Sequence, residues 1–267
     1  MDKIEFYTPK NLILKKYIKG YYFYRENNYT VPLNYNVFPS NSYFLTILKR
    51  GEAKLVENKM MMLPTVKNKI TMSLATHFDH PLQFCYEKQI DEITIIFKPL
   101  GINHFVGNSD INLSENFIFE MFFSDIQTEM DKVFRCKNIV KQIDLIENYW
   151  LLKLRIPNLK LSPSILKNVE NLSIQEVAQR YKMSRQNLHK LFLKEIGKPP
   201  SEFKNVNRFR NVLYNRNKHQ NLTETAHQNS YYDQAHFIRN FKKYTGITPS
   251  HFFKDKNLHK EKEFLFI

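Results

Sequence analysis

Two short runs of this chain set hydrogen-bonding and cationic side chains at helical spacing beside an apolar stripe. In 184–197 the apolar residues are Leu188, Leu191 and Phe192; at about 100° per residue, Gln186, His189 and Lys190 point away from them. In 233–246, Phe237, Phe241 and Tyr244 form the stripe, and Gln234, Ala235, Ile238 and Arg239 lie to its sides and opposite. Such faces suit base edges in a major groove: Arg pairs with guanine, Gln with adenine, and an alkyl group meets the thymine methyl. Lys242 and Lys243 suit phosphates. Either run, taken singly, is also the solvated face of an ordinary helix.

Other chemistry finds less support. His77, His80, Cys85 and His104 are close in sequence, but their spacing is loose for a metal site and they are carried on strands. There is no G-x-S-x-G, P-loop or dinucleotide fingerprint. Cys85 and Cys136 have no cationic setting that would activate a thiol, and two cysteines are too few for a disulfide framework. We therefore expect no enzyme, no metal and no cofactor.

The elements around the two runs repeat. Ser173-Ile-Gln-Glu176 reads as a capping box opening a short helix with Ile174, Val177, Ala178 and Tyr181 as packing residues. A turn follows, Ser184 caps the next helix, and Gly197 ends it. The small Ala178 lets the two helices approach, as in a helix-turn-helix. In the second copy Thr223 is expected to cap a helix carrying Ala226, Asp233 caps the next, and Gly246 ends it. Six of twelve positions are identical between 192–203 and 241–252: Phe192/Phe241, Lys194/Lys243, Gly197/Gly246, Pro200/Pro249, Ser201/Ser250 and Phe203/Phe252. These are core and cap positions plus one cation; the outward positions differ. Between the copies, Ser201 is expected to cap a helix with the stripe Phe203, Val206, Phe209 and Leu213, about 20–24 Å long.

Charge follows the same division. Residues 161–267 hold 19 Lys and Arg against 9 Asp and Glu; residues 1–160 hold 21 against 17. A chain of net charge +14 with its excess at one end suits a polyanion. The start, "MDKIEFYTPK", lacks the apolar core of a signal peptide, and no apolar run approaches the ~20 residues of a membrane span, so a cytoplasmic location without membrane contact is expected.

The first part reads as α+β. "LILKKYIKGYYFYR" passes from helical spacing into an aromatic strand. "NSYFLTILKRGEAKLVE" reads as two strands around Lys49-Arg50-Gly51-Glu52. "KITMSLATHF", "PLQFCYE" and "DEITIIFKP" read as further strands. Ile139, Ile143, Ile146 and Trp150 mark an amphipathic helix; an exposed Trp150 would favour a dimer seam, a buried one packing on its own sheet. Tyr21, Tyr22, Phe23 and Tyr24 line a ligand pocket or fill a small core. "RIPNLKLSPS", 155–164, is the expected linker.

Over about 165–256 the chain resembles the AraC/XylS family of bacterial transcription regulators. "YYDQAHFIRNFKKYTGITPSHF" carries the family pattern of aromatic, x, Asp, then His-Phe-x-Arg-x-Phe-Lys and Gly-x-x-Pro-x-x-Phe. The resemblance implies two helix-turn-helix motifs joined by a linker helix in an all-α domain at 162–256. Residues 1–157 would be an α+β sensing or dimerisation domain with a partial β-barrel, and 257–267 a tail. It implies promoter DNA as partner, base contacts from Gln186, His189, Lys190, Gln234, Ala235, Ile238 and Arg239, and phosphate contacts from Ser184, Lys194, Arg208, Lys242 and Lys243. RNA polymerase, a small-molecule effector and a second copy through the N-terminal domain are further partners that it admits. Where the family places Gly in each turn, this chain has Lys182 and Ser230. The alternative is a basic helical module that binds an acidic protein and no DNA.

Overall fold

Aromatic and β-branched runs that alternate between two apolar surroundings form the N-terminal strands. A computed structural model describes residues 6–25, 31–66, 69–107, 111–120, 122–215, 221–254 and 264–265. The strands are β1 (Phe6–Tyr7), β2 (Ile18–Tyr24), β3 (Leu33–Val37), β4 (Tyr43–Lys49), β5 (Gly51–Val56), β6 (Lys59–Pro64), β7 (Ile70–Ala75), β8 (Leu82–Tyr86), β9 (Asp91–Phe97) and β10 (Phe117–Ile118). One sheet has the order β1-β2-β9-β4-β7-β10 and is antiparallel throughout. The other has the order β3-β8-β6-β5, with β6 and β8 parallel. The sheets face each other without closing into a barrel. Phe264–Leu265, labelled β11, adds in parallel to β3; the rest of the tail 257–267 lies outside the described residues.

β2, β4 and β9 are buried almost without interruption because their sheet is the middle layer. Tyr22, Tyr24, Phe44 and Leu48 face the second sheet. Tyr21, Phe23, Leu45, Ile47, Ile93 and Ile95 face helices α1 (Ile126–Arg135) and α2 (Ile139–Lys153). Trp150 is fully buried against Phe97, Phe105, Phe123 and Tyr149, so α2 packs on its own sheet. The aromatics at 21–24 fill the core; a cavity that Tyr22 lines with Thr46 and Ser73 is about 20 Å³, the space of one water. The two strands expected around Arg50 are present but lie in different sheets, with Arg50 at φ 55 where the chain crosses over.

One polar cluster is buried between the sheets. Glu92 accepts from Tyr86 Oη at 2.6 Å and Thr94 Oγ1 at 2.8 Å, and Thr94 pairs with Thr46 at 2.9 Å. Burial pushes the Glu92 carboxyl up to about 7, against the lowering effect of these donors.

After α2 the chain is coil to Ser162, which caps α3 (Pro163–Asn171). The expected linker 155–164 thus ends two residues early, because Pro163 takes the first helical position. It is tied down: Glu195 accepts from Lys160 N and Leu161 N at 2.9 and 2.8 Å. The remaining helices are α4 (Ile174–Arg180), α5 (Arg185–Ile196), α6 (Pro200–Asn215), α7 (Leu222–Gln228), α8 (Gln234–Thr245) and α9 (Pro249–Lys254). They enclose two apolar cores that share α6, and each receives one N-terminal side chain. Leu100 enters the core of α3–α5, and Phe38 that of α7–α9, edge-on to Phe209 and Phe252.

Candidate nucleic-acid interface

In the first motif the capping box forms as expected. Glu176 N donates to Ser173 Oγ at 3.2 Å, and Ser173 N donates to Glu176 Oε2 at 2.7 Å. The turn holds Lys182 at φ 52, a left-handed conformation that favours Gly. Ser184 then caps α5, accepting from Asn187 N at 3.0 Å, and Gly197 closes it at φ 83. Leu188, Phe192 and Ile196 are buried with Val177 and Ala178.

In the second motif the cap of α7 is Asn221, not Thr223. Glu224 N donates to Asn221 Oδ1 at 2.8 Å, and Asn221 N donates back to Glu224 Oε2 at 3.3 Å. A capping box needs its acid three residues after the cap, and Glu224 stands so to Asn221 alone. Thr223 instead donates from Oγ1 to Gln234 Oε1 at 2.9 Å. Ser230 takes the left-handed turn position at φ 57. Asp233 caps α8 by accepting from His236 N at 2.6 Å, and Gly246 closes it at φ 78. Phe237, Phe241 and Tyr244 are buried.

The connecting helix α6 is anchored at both ends. Phe203 lies in the first core; Val206, Phe209 and Val212 lie in the second. Ser201 is not its cap: the helix starts at Pro200, and Phe203 N already donates to Pro199 O at 3.0 Å. Two buried cations, Arg210 on this helix and Lys198 just before it, bind residues 38–41. Arg210 donates from Nε to Pro39 O at 2.8 Å and from Nη2 to Phe38 O at 2.7 Å. Lys198 donates to Ser40 O at 2.8 Å, and burial pushes its amine down to about 8, with Arg210 nearby adding to the effect. Asn41 completes the joint, donating to Phe203 O at 2.9 Å and Asn207 Oδ1 at 2.7 Å.

The expected contact residues fall on corresponding faces. Gln186, His189 and Lys190 are exposed on α5; Gln234, Ala235 and Arg239 are exposed on α8, with Ile238 half-buried. At an offset of 49, Gln186 corresponds to Ala235, His189 to Ile238 and Lys190 to Arg239. The same offset pairs Gln234 with Arg185, an exposed cation passed over when only residues opposite the first stripe were counted. Ser184, Lys194 and Lys242 are exposed, and Arg208 is half-buried on α6. Lys243 is also exposed, but Asp79, in the loop between β7 and β8, holds it at 2.9 Å. That carboxyl titrates below its usual range; hydrogen bonding and attraction from Lys243 outweigh its partial burial. His77, His80, Cys85 and His104 do not gather: no group of three or more His, Cys, Asp or Glu that could hold a metal ion occurs among the described residues. No helix among those residues is long and apolar enough to cross a membrane.

A family model described as a helix-turn-helix domain matches residues 177–255. No curated protein matches the chain. Among solved structures the chain is similar to ToxT from Vibrio cholerae. A complex of the strain SCE256 protein with unsaturated fatty acid is 10% identical at TM-score 0.46, over 87% of this chain and 93% of that one. A P21 crystal form of ToxT is 13% identical at 0.45, over 88% and 97%. The O395 protein is 14% identical at 0.41, over 95% and 94%. Likeness at that level says nothing of this chain's site. The matched residues 177–255, with their two capped outward helices mounted on α6, are similar to a helix-turn-helix domain.

Proposed function

We propose that the chain is a sequence-specific transcription regulator whose α5 and α8 enter neighbouring major-groove segments of promoter DNA. The observation that carries this is the pair of corresponding outward faces fixed on one 16-residue helix, about 24 Å long. Groove segments on one side of the duplex recur about every 34 Å, so two readers on such a strut are spaced for adjacent turns once their own radii are added. Gln186, His189 and Lys190 read bases from α5, and Gln234, Ala235, Ile238 and Arg239 from α8. Ser184, Lys194, Arg208, Lys242 and Lys243 set register through phosphates. The two readers differ in kind. The first offers a Gln, a His and a Lys; the second offers a guanidinium, two alkyl groups and a Gln shared with Thr223.

In this reading 162–256 is the DNA reader, and 1–157 senses an effector or pairs with a second copy. RNA polymerase is the further partner a regulator bound at a promoter would meet. The test is binding of the full chain to duplexes at two salt concentrations. The four cations among these contacts predict a slope of log K against log salt near −4. Binding only to an acidic protein, with no duplex bound, refutes the proposal.

A further inference from the structure

The two motifs correspond residue by residue, with one exception. Through the first helix and the turn the offset is 48. Ser173 matches Asn221, Glu176 matches Glu224, and Lys182 matches Ser230. Met183 N and Tyr231 N donate to Ala178 O and Ala226 O at 2.9 and 3.0 Å. From the second cap onward the offset is 49, with Ser184 matching Asp233 and Gly197 matching Gly246. The extra residue is Tyr232. Its side chain is 89% exposed and makes no ring contact or hydrogen bond among the described residues. A lone exposed aromatic is ordinary on a protein surface. What marks Tyr232 is its place and the charges beside it.

A helix N-terminus attracts phosphate through its free amides. At α5 that end carries a neutral cap, Ser184, followed by the exposed cation Arg185. At α8 the cap is Asp233, whose carboxylate already takes the His236 amide at 2.6 Å and repels a second anion. Gln234, which follows, is engaged with Thr223. Each cap takes one amide, Asn187 N at Ser184 and His236 N at Asp233, but the first end is neutral and followed by a guanidinium, whereas the second carries a carboxylate and no cation. Tyr232, one residue before the cap, brings a neutral hydroxyl on the far end of an exposed ring.

We propose that Tyr232 is the DNA-backbone contact at the N-terminal end of the second reading helix, its hydroxyl donating to a phosphate oxygen that Asp233 keeps off the helix amides. This rests on the DNA-binding reading above. The test uses the full chain, Tyr232→Phe, Asp233→Ser and the double variant, titrated on a duplex selected by the wild type. Tyr232→Phe should weaken binding about 3- to 10-fold, one neutral hydrogen bond. The loss should be equal on unrelated duplexes and leave the salt slope unchanged, because a neutral donor releases no counterion. Asp233→Ser keeps a capping oxygen and opens the amides to phosphate, so there Tyr232→Phe should cost less than about twofold. Thermal melting should not move with Tyr232→Phe. Wild-type affinity in Tyr232→Phe overturns the inference, as does an equal loss in both backgrounds or a changed site preference. Absence of salt-dependent duplex binding by the wild-type chain strikes the underlying DNA reading instead, and shows before any substitution is made.

Discussion

Gly197 and Gly246 close α5 and α8 with the same backbone, φ 83 and φ 78, yet replacing each with Ala should have different consequences. The left-handed conformation costs an L-residue about 1–2 kcal/mol at either site. Around Gly246 a new Cβ meets only Pro81 Cγ, at 3.8 Å, an ordinary contact. At Gly197 it would lie 1.9 Å from Leu113 O and 3.1 Å from Leu113 Cβ, so N-terminal backbone must move. Overpacking of that kind adds about 1–3 kcal/mol. Gly246→Ala should therefore destabilise by about 1–2 kcal/mol and Gly197→Ala by about 2–5 kcal/mol. Urea unfolding followed by helical circular dichroism, and by fluorescence of the single Trp150 in the N-terminal core, measures both. Since Leu100 and Phe38 reach into the helical cores, the two probes should give the same midpoint shift. Equal losses for the two variants would refute the close seating of Leu113 on the end of α5.

Three further outcomes follow from the same geometry. Lys182→Gly and Ser230→Gly should each stabilise by about 1 kcal/mol in urea melts, because relief of the left-handed strain exceeds the entropy that Gly adds. Glu92, raised to about 7 from an ordinary 4.5, is protonated in the fold while the unfolded carboxyl is ionised; stability should fall from pH 4.5 to 7 by about 3 kcal/mol, and Glu92→Gln should flatten that fall in melts across pH. Lys243→Ala should weaken DNA binding less than Lys242→Ala in mobility shifts, since Asp79 competes with phosphate for the Lys243 ammonium alone.

What was legible in the sequence was local. The caps Ser173, Ser184, Asp233, Gly197 and Gly246 act within three or four residues of themselves, and the structure uses each as read. The errors at Thr223 and Ser201 are local too: spacing to Glu224 singles out Asn221, and a Pro at the first helical position moves the start of α6 ahead of Ser201. Strand positions could be read from composition, but the transfer from one sheet to the other at Arg50 depends on partners far along the chain. Lys198 and Arg210 stand in a basic stretch of the sequence. They are buried because acceptors 158 and 172 residues earlier fold against them, and no local pattern announces that.

The central claim is that α8 shows Arg239 to a base and Lys242 to the backbone. Selection of bound sites from random duplexes, run with the wild type, Arg239→Ala and Lys242→Ala, tests it directly. Arg239→Ala should lose about 1–3 kcal/mol at one base position and relax preference there, while Lys242→Ala should weaken every site alike and reduce the salt slope by about 1. An unchanged site preference in Arg239→Ala would contradict the account.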